Sequence, residues 1–278
     1  GPLPTRAQQW GQATGWQCQQ ERQSAGLLGI CFWREGRGNR GLASYMGEKE
    51  GWHFWHARED AAARQKAKGG SDQGNRAGVT AGKNLDGFVE LVSALIKANG
   101  VRDFEIFTSG RADLTIPGFY RPTKNWDLLV LQRRHLIAAI EFKSQVGPSF
   151  GNNFNNRVEE ALGNGTDLNT AFREGAFGDS MKPFTGYLFV LEDCPKSRAP
   201  VAITSPHFPA FPEFRGSSYA QRYEIFCRKL IQEQLYDAAA LVMTNKDSPL
   251  AWTDLSESTS ARRFAIALAG KVAALSLE

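Results

Sequence analysis

Apolar residues recur along the chain at two spacings, one typical of helices and one typical of strands. From Leu85 to Ile96 they fall three and four residues apart, which predicts an amphipathic helix that stops at Asn99-Gly100. Short apolar runs bounded by turn residues predict strands. These runs are FEIFTS, the two segments on either side of QRRH, FTGYLFVLED and AAALVMT.

The same patterns predict five further helices and two loops. The helices are expected at about Trp52 to Lys68, Asn156 to Gly163, Leu168 to Arg173, Ser218 to Leu235 and Ser260 to Leu275. TIPGFYRPTKN is interpreted as a Pro/Gly loop and GPSFGNNFNNR as a Gly/Asn loop. Helices before and after short apolar strands indicate an α/β or α+β domain with one central sheet.

The first 45 residues differ from the rest of the chain. They are rich in Gly and Gln, carry three of the seven tryptophans, and show neither helical nor strand periodicity. The first methionine is Met46, and normal charge density begins there. We therefore interpret residues 1–45 as a non-native or disordered extension and residues 46–278 as a single domain.

Composition excludes some classes of protein and leaves others open. The sequence has no apolar run long enough for a membrane helix and no signal-peptide layout. The four cysteines are widely spaced without a CxxC pair, which indicates a reduced, cytosolic protein without a zinc site. The net charge is +4, but residues 1–45 hold five basic and two acidic residues and so supply three of these charges. Bulk charge therefore says little about a nucleic-acid partner.

Three charged residues stand at the ends of the two strands around QRRH. In NWDLLVLQRRHLIAAIEFKSQ, Asp127 precedes the first apolar run, and Glu141 and Lys143 follow the second. If Arg134 is the tip of a hairpin, Asp127 lies opposite Glu141, and Lys143 shares their face. A two-residue turn would instead place Asp127 opposite Ile140, unless a bulge restores the first register.

Such a cluster has a chemical use. Two close carboxylates repel each other unless a cation lies between them, and their oxygens are ligands that suit Mg²⁺. A nearby lysine can orient an attacking water while the metal stabilises charge on a phosphate. The set therefore suits metal-assisted phosphodiester hydrolysis. The alternative is a salt-bridged strand end without catalytic function, because Glu-x-Lys is common by chance.

The Asp and Glu-x-Lys pattern resembles the PD-(D/E)xK nuclease superfamily. The longer stretch from Pro117 to Gly178, with AAIEFKSQVGPSFGNNFNNR inside it, resembles the XhoI family of type II restriction endonucleases. The resemblance implies a PD-(D/E)xK restriction-endonuclease-like core, in which a central mixed β-sheet is flanked by helices. Trp126 stands where the superfamily has its proline.

The resemblance also implies roles for individual residues. Asp127 and Glu141 would bind a catalytic Mg²⁺, together with the main-chain carbonyl of Phe142, and Lys143 would position the water. Glu90 is the candidate for an additional acidic residue on a preceding helix, although a solvent-exposed helical glutamate is an equally good interpretation.

The implied substrate is double-stranded DNA, cut at the palindromic hexamer CTCGAG to leave 5′-phosphate ends. A symmetric site suggests a homodimer. A DNA methyltransferase of the same specificity is the implied partner in a restriction-modification system. The alternatives are another PD-(D/E)xK nuclease for repair or junction cleavage, and a non-catalytic DNA-binding protein with the same fold.

Two sets of residues are candidates for DNA contacts. Asparagine and arginine suit adenine and guanine edges, and such residues follow the second strand of the pair, although they could equally form a turn and a helix start. Loop cations are candidates for phosphate contacts, although most such cations are merely solvated. The candidates for the bases are Asn152, Asn153, Asn155, Asn156 and Arg157, and those for phosphates are Arg76, Lys83, Arg121 and Lys124.

Overall fold

The fold is described by a computed structural model for residues 54–56, 58, 85–98 and 103–275. Residues 54–56 and 58 are helical. The helices that follow are α1 (Asp86–Ala98), α2 (Phe150–Arg173), α3 (Pro195–Arg198), α4 (Tyr219–Gln232) and α5 (Ala261–Leu275). The strands are β1 (Phe104–Phe107), β2 (Thr115–Pro117), β3 (Thr123–Asn125), β4 (Leu128–Gln132), β5 (His135–Gln145), β6 (Phe184–Glu192), β7 (Ala238–Asn245) and β8 (Ser248–Thr253).

Six of the strands form one mixed sheet, in the order β1-β4-β5-β6-β7-β8. The pairs β1/β4, β4/β5 and β7/β8 are antiparallel, whereas β5/β6 and β6/β7 are parallel. The two parallel connections contain helices, as a crossover between parallel strands requires. The mixed sheet flanked by helices confirms the predicted fold class.

Helices cover both faces of the sheet, which explains the continuous apolar runs of the central strands. On one face, α1 and α5 pack against alternate residues such as Ile140, Phe142 and Leu188. On the other, α2 and α4 pack against the intervening residues, such as Tyr187 and Phe189. Glu141 and Lys143 alternate with Phe142 along β5, so they belong to the face that α2 covers.

The hairpin of β4 and β5 closes through a two-residue turn. Arg133 and Arg134 both have positive φ, 47° and 74°, as expected for the turn that best matches the twist of paired strands. Beside the turn, Gln132 pairs with His135 and Leu131 with Leu136. Of the two turns considered from the sequence, the two-residue turn at Arg133-Arg134 is therefore the one that forms.

A β-bulge then restores the register that brings the charges together. The register shifts between Val130 and Leu131, so that one extra residue is inserted in β5. Beyond the bulge Val130 pairs with Ala138 and Leu128 with Ile140. Asp127, one residue before β4, therefore lies opposite Glu141.

Helix α2 is longer than its sequence predicts. Residues 150–157 of the predicted loop GPSFGNNFNNR and the two separate helices after it form one 24-residue helix that begins at Phe150. Asparagine and glycine disfavour helices, but Phe150, Phe154, Val158 and Ala161 form an apolar stripe that packs against the sheet and α4. Tertiary packing therefore outweighs the local preference.

TIPGFYRPTKN is also more ordered than predicted. β2 and β3 pair as a two-stranded antiparallel hairpin, with Thr115 opposite Asn125 and Pro117 opposite Thr123. The predicted strands in FEIFTS, FTGYLFVLED and AAALVMT and the helices at residues 85–96, 218–235 and 260–275 are confirmed, and β8 was not foreseen. Most of the predicted helix at residues 52–68 and all of the extension 1–45 lie outside the described residues.

Candidate active site

Four charged side chains meet where β4 and β5 separate. The Asp127 Oδ2 atom accepts a hydrogen bond from the main-chain N–H of Phe142 at 2.8 Å and lies 3.4 Å from the Lys143 Nζ atom. Lys143 also forms an ion pair with the Oε1 atom of Glu141. The structure therefore brings together the three residues that the sequence placed at the strand ends.

Lys124, predicted as a phosphate contact in a loop, is the fourth member of this charged cluster. Its Nζ atom lies 3.1 Å from the Oε2 atom of Glu141 and 5.3 Å from the centre of the Trp126 ring. The pairing of β2 with β3 places Lys124 next to β5, and sequence reasoning missed this hairpin. We call Lys124, Asp127, Glu141 and Lys143 the charged cluster.

The two carboxylates of the cluster differ in their environment. Burial and the neighbouring charge of Glu141 raise the pKa of Asp127, although Lys143 opposes this shift. Burial also disfavours ionised Glu141, but the Lys143 and Lys124 ammoniums outweigh this effect and lower the pKa of Glu141. The two lysines therefore stabilise the ionised form of Glu141, whereas the negative charge of Asp127 is only partly compensated by its neighbours.

Lys143 lies between these carboxylates as an ammonium. Burial favours its neutral form, but the charges of Glu141 and Asp127 outweigh burial and raise the pKa of Lys143. The Lys143 side chain is only 19% exposed, and that of Glu141 only 3%. Such charges are costly to bury unless they are paired, and here each is paired with an opposite charge.

The donor set of the cluster fits a divalent cation with few protein ligands. The Asp127 side chain is 40% exposed, and its Oδ1 atom accepts no hydrogen bond from the described residues. The N–H and C=O of a strand residue point to the same side, so the Phe142 carbonyl points toward Asp127, as its N–H does. Mg²⁺ binds through one or two carboxylates and keeps several waters. Within residues 103–275 no three His, Cys, Asp or Glu side chains converge on a larger metal site.

A second set of buried polar groups lies on α2 and holds the turn between β2 and β3. The Oδ2 atom of Asp167 pairs with the Arg121 Nε atom at 2.7 Å, and Asn164 Oδ1 accepts a hydrogen bond from Arg121 Nη2 at 2.7 Å. We call Arg121, Asn164 and Asp167 the hairpin clamp. Neither Asn164 nor Asp167 was predicted from the sequence. Their spacing of three residues puts both on the buried face of α2, and two polar residues at that spacing are the pattern that could have indicated them.

The predicted base-reading residues occupy the first two turns of α2. Asn152, Asn155 and Asn156 are exposed, and Asn153 is partly buried. Arg157 turns inward: its side chain is only 16% exposed, and its charge adds repulsion for the Lys143 ammonium. Asn152, Asn155 and Asn156 therefore face solvent, whereas the charge of Arg157 acts on Lys143.

The remaining predicted residues are placed elsewhere. Glu90 is exposed on α1 and forms no hydrogen bond or ion pair with Asp127, Glu141 or Lys143. Arg76 and Lys83 lie outside the described residues. A role for Glu90 as an additional acidic ligand and DNA contacts by Arg76 and Lys83 stay predictions.

Comparison with known proteins identifies the family of this chain. The family model for restriction endonuclease XhoI matches residues 64–253. The chain belongs to the XhoI restriction endonuclease family. The type II restriction enzyme XhoI of Xanthomonas vasicola is 53% identical over 178 residues, covering 64% of this chain and 71% of that enzyme.

Two other relatives carry the same kind of name. The type II restriction enzyme BstVI of Geobacillus stearothermophilus is 50% identical over 190 residues, 66% of this chain and 84% of the relative. The type II restriction enzyme AbrI of Azospirillum brasilense is 58% identical over 155 residues, 56% of this chain and 69% of the relative. No solved structure matches the chain.

The part of the chain that matches the XhoI family contains the whole candidate site. Residues 64–253 include β1 to β8, the charged cluster and the hairpin clamp. None of the helices in the described ranges is long and apolar enough to span a membrane. Membership of the XhoI family confirms the predicted resemblance and makes this chain an enzyme of the restriction-endonuclease class.

Proposed function

We propose that this member of the XhoI family is a Mg²⁺-dependent type II restriction endonuclease that cuts double-stranded DNA at CTCGAG and leaves 5′-phosphate ends. The observation that carries the proposal is the charged cluster, in which Asp127 and Glu141 lie opposite each other with Lys143 between them. The buried Glu141 and the partly exposed Asp127 serve no packing purpose at this strand end, but two such carboxylates suit a metal ion that would in turn bind a phosphate.

Asp127, Glu141 and the Phe142 carbonyl are the groups that would hold Mg²⁺. Bound there, the ion would stabilise negative charge on the scissile phosphate and lower the pKa of a coordinated water. Without such an ion, burial first and repulsion by Glu141 second raise the pKa of Asp127 above its usual value. A cation bound at Asp127, whose side chain is 40% exposed, would relieve that repulsion.

The role of Lys143 follows from its protonation state. Because Glu141 and Asp127 outweigh the effect of burial and raise its pKa, Lys143 carries a proton at neutral pH. Its ammonium therefore donates hydrogen bonds, and it can orient the attacking water or hold a phosphate oxygen. Lys124 supplies a second positive charge on the other oxygen of Glu141.

DNA contacts are divided between the two sides of α2. Exposed Asn152, Asn155 and Asn156 are suited to base edges, with Asn153 beside them. The Arg157 side chain is only 16% exposed and its charge repels the Lys143 ammonium, so its guanidinium suits a phosphate at the site better than a guanine edge. Its Nη1 atom is already fixed by Glu160 at 2.7 Å.

The assembly proposed is a homodimer in the prokaryotic cytoplasm. A palindromic target presents the same contacts twice, and a twofold-symmetric pair of subunits matches that symmetry. A DNA methyltransferase that modifies the same hexamer is the functional partner, because an unmodified genome would be cut. Both proposals rest on the type II restriction enzymes among the relatives.

The test is incubation with Mg²⁺ and a plasmid that carries one CTCGAG, followed by sequencing of the ends. We expect one linear product cut within the hexamer, with 5′-phosphate and 3′-hydroxyl ends, and no product when EDTA removes the metal. Random nicking, or cutting that follows DNA structure, would instead indicate a repair or junction nuclease. Tight binding without cutting would indicate a non-catalytic DNA-binding protein.

A further inference from the structure

The turn between β2 and β3 exposes two neighbouring aromatic rings. Phe119 is 49% exposed and Tyr120 70% exposed, and their rings meet edge to face with centroids 5.0 Å apart. Apolar rings in contact with water lose the stabilisation that burial provides. We call Phe119 and Tyr120 the aromatic tip.

The hairpin clamp fixes the aromatic tip in place. The main-chain N–H groups of Phe119 and Tyr120 both donate to the Asp167 Oδ1 atom at 2.8 Å. Gly118 allows this close approach, because a Cβ atom there would lie 2.6 Å from the Asp167 Oδ2 atom. The buried Asp167 carboxylate thus orders the main chain that carries two exposed rings. An ordinary surface turn does not need a buried carboxylate to fix it.

The aromatic tip is joined to the charged cluster by a short segment of chain. Only three residues separate Tyr120 from Lys124, whose ammonium is 3.1 Å from Glu141. Four residue steps span at most roughly 14 Å. A base pair occupies about 3.4 Å of the DNA axis, so the tip can reach bases only a few steps from a phosphate held at the cluster.

The charge of the hairpin suits the same partner. Its sequence, TIPGFYRPTKN, contains Arg121 and Lys124 and no acidic residue. Both cations are paired with carboxylates outside the hairpin, Arg121 with Asp167 and Lys124 with Glu141. The hairpin therefore adds no negative charge that would repel a phosphate, and its fixed aromatic rings match the stacking faces of bases.

We propose that the aromatic tip contacts the substrate duplex as a wedge, with the Tyr120 ring stacking on a base step beside the scissile phosphate. This inference rests on the proposed function, because it assumes that duplex DNA binds at the charged cluster. Apolar side chains inserted at a base step unstack it and bend the duplex. Asp167 is then a positioning residue, which acts by holding the tip.

The experiment compares Tyr120→Ala, Tyr120→Phe and Asp167→Asn with the wild-type protein. Phe208→Ala is the matched control, because Phe208 is another exposed ring, 80% exposed, in a different loop. The DNA is a CTCGAG duplex with 2-aminopurine at successive flanking positions, and Ca²⁺ replaces Mg²⁺. Measured quantities are the dissociation constant, the 2-aminopurine fluorescence, and then the KM and kcat for cleavage in Mg²⁺.

We expect a fluorescence rise at one position with the wild type, with Tyr120→Phe and with Phe208→Ala. Tyr120→Ala should abolish that rise and weaken binding by about tenfold or more, as expected for loss of one stacked base. Asp167→Asn should reduce the rise and raise KM more than it lowers kcat, and the Phe119 and Tyr120 amides should exchange hydrogen faster.

The results that would overturn the inference are distinguishable from a failure of the proposed function. If the wild type cuts CTCGAG but Tyr120→Ala binds with unchanged affinity and fluorescence, the wedge is wrong and the proposed function stands. The wedge is equally wrong if Tyr120→Ala changes only the sedimentation of the free protein, since the tip is then a contact between subunits. If the wild type neither binds nor cuts the duplex, the proposed function fails and the wedge with it.

Discussion

The β2/β3 hairpin is held at its turn by the hairpin clamp and supplies Lys124, near its other end, to the charged cluster. The two sites use their carboxylates differently. In the clamp, Asp167 stands alone and its oxygens accept hydrogen bonds from Arg121 and two main-chain amides. In the cluster, Asp127 and Glu141 face each other and share the Lys143 ammonium.

The pKa values of the two aspartates express this difference. Burial opposes ionisation of Asp167, but its hydrogen bonds from Arg121 and the amides outweigh burial and lower the pKa. Burial and repulsion by Glu141 raise the pKa of Asp127. The partners of Asp167 favour its ionised form and so stabilise the fold, whereas Asp127 is short of positive charge and is suited to bind a cation.

The largest expected effect is on cleavage by the cluster. Asp127→Ala and Lys143→Ala should each lower the single-turnover rate at least about 100-fold, because the metal or the orientation of the water is lost. Specific binding to a CTCGAG duplex should remain detectable by gel shift. The control is Asp193→Asn, which removes a surface ion pair with Arg198; this variant should cut DNA at the wild-type rate. Full cleavage by either cluster variant would show that the assignment is wrong.

The free energy of unfolding should fall on substitution of Asp167 but not on substitution of Asp127. Asp167→Asn should lower the free energy of unfolding by about 1–3 kcal/mol, since hydrogen bonds to a charged group are lost. Asp127→Asn should leave it unchanged or raise it in metal-free buffer, because the folded state disfavours this charge. Urea denaturation in EDTA measures both. Loss of stability in Asp127→Asn as large as that in Asp167→Asn would remove the distinction between the two sites.

Lys124 tests whether the hairpin belongs to the cluster. Lys124→Gln keeps a polar side chain that is one atom shorter and removes a positive charge 3.1 Å from Glu141. We expect about a tenfold loss of cleavage rate, below the roughly 100-fold or more of a direct acid or base, because Lys124 acts through Glu141. Lys182→Gln, which removes an ammonium 3.8 Å from Asp237, is the control. An unchanged rate in Lys124→Gln would place this lysine outside the chemistry.

The smallest expected effect is the pH dependence of the clamp. Because the pKa of Asp167 is lowered in the folded state, its stabilising contribution is complete above the unfolded pKa, about 3.9, and is lost as the pH falls through the folded pKa. The difference in unfolding free energy between wild type and Asp167→Asn should therefore be constant from pH 7 to pH 5 and shrink below pH 4. An increase of that difference below pH 4 would contradict a lowered pKa for Asp167 in the folded state.

The sequence predicted the cluster better than its surroundings. Alternation and turn residues located the strands, and the Glu-x-Lys spacing fixed Glu141 and Lys143 on one face. A bulge was one of the possible arrangements, but the sequence could not show that it occurs beside Val130, because it depends on how the strands twist and pack rather than on a local signal. The choice of register therefore needed the structure.

Other features depend on contacts between distant residues. α2 begins at Phe150 because its apolar stripe packs on the sheet and α4, which outweighs the poor helix propensity of its asparagines. Lys124 and Asp167 acquire their partners only when β2 pairs with β3 and the turn meets α2. Local sequence patterns do not indicate such long-range contacts. Asp167 was therefore not predicted, and Lys124 was placed in a loop.

The most direct test of the central claim is the single-turnover cleavage rate of a CTCGAG duplex as a function of Mg²⁺ concentration. We compare the wild type, Asp127→Asn and Asp193→Asn, two isosteric changes at aspartates that differ in their surroundings. The rates of the wild type and Asp193→Asn should rise with Mg²⁺ and saturate together, while Asp127→Asn stays inactive at every concentration. Cleavage by Asp127→Asn at the wild-type rate, or cleavage by the wild type in EDTA, would contradict a metal-dependent site at Asp127 and Glu141.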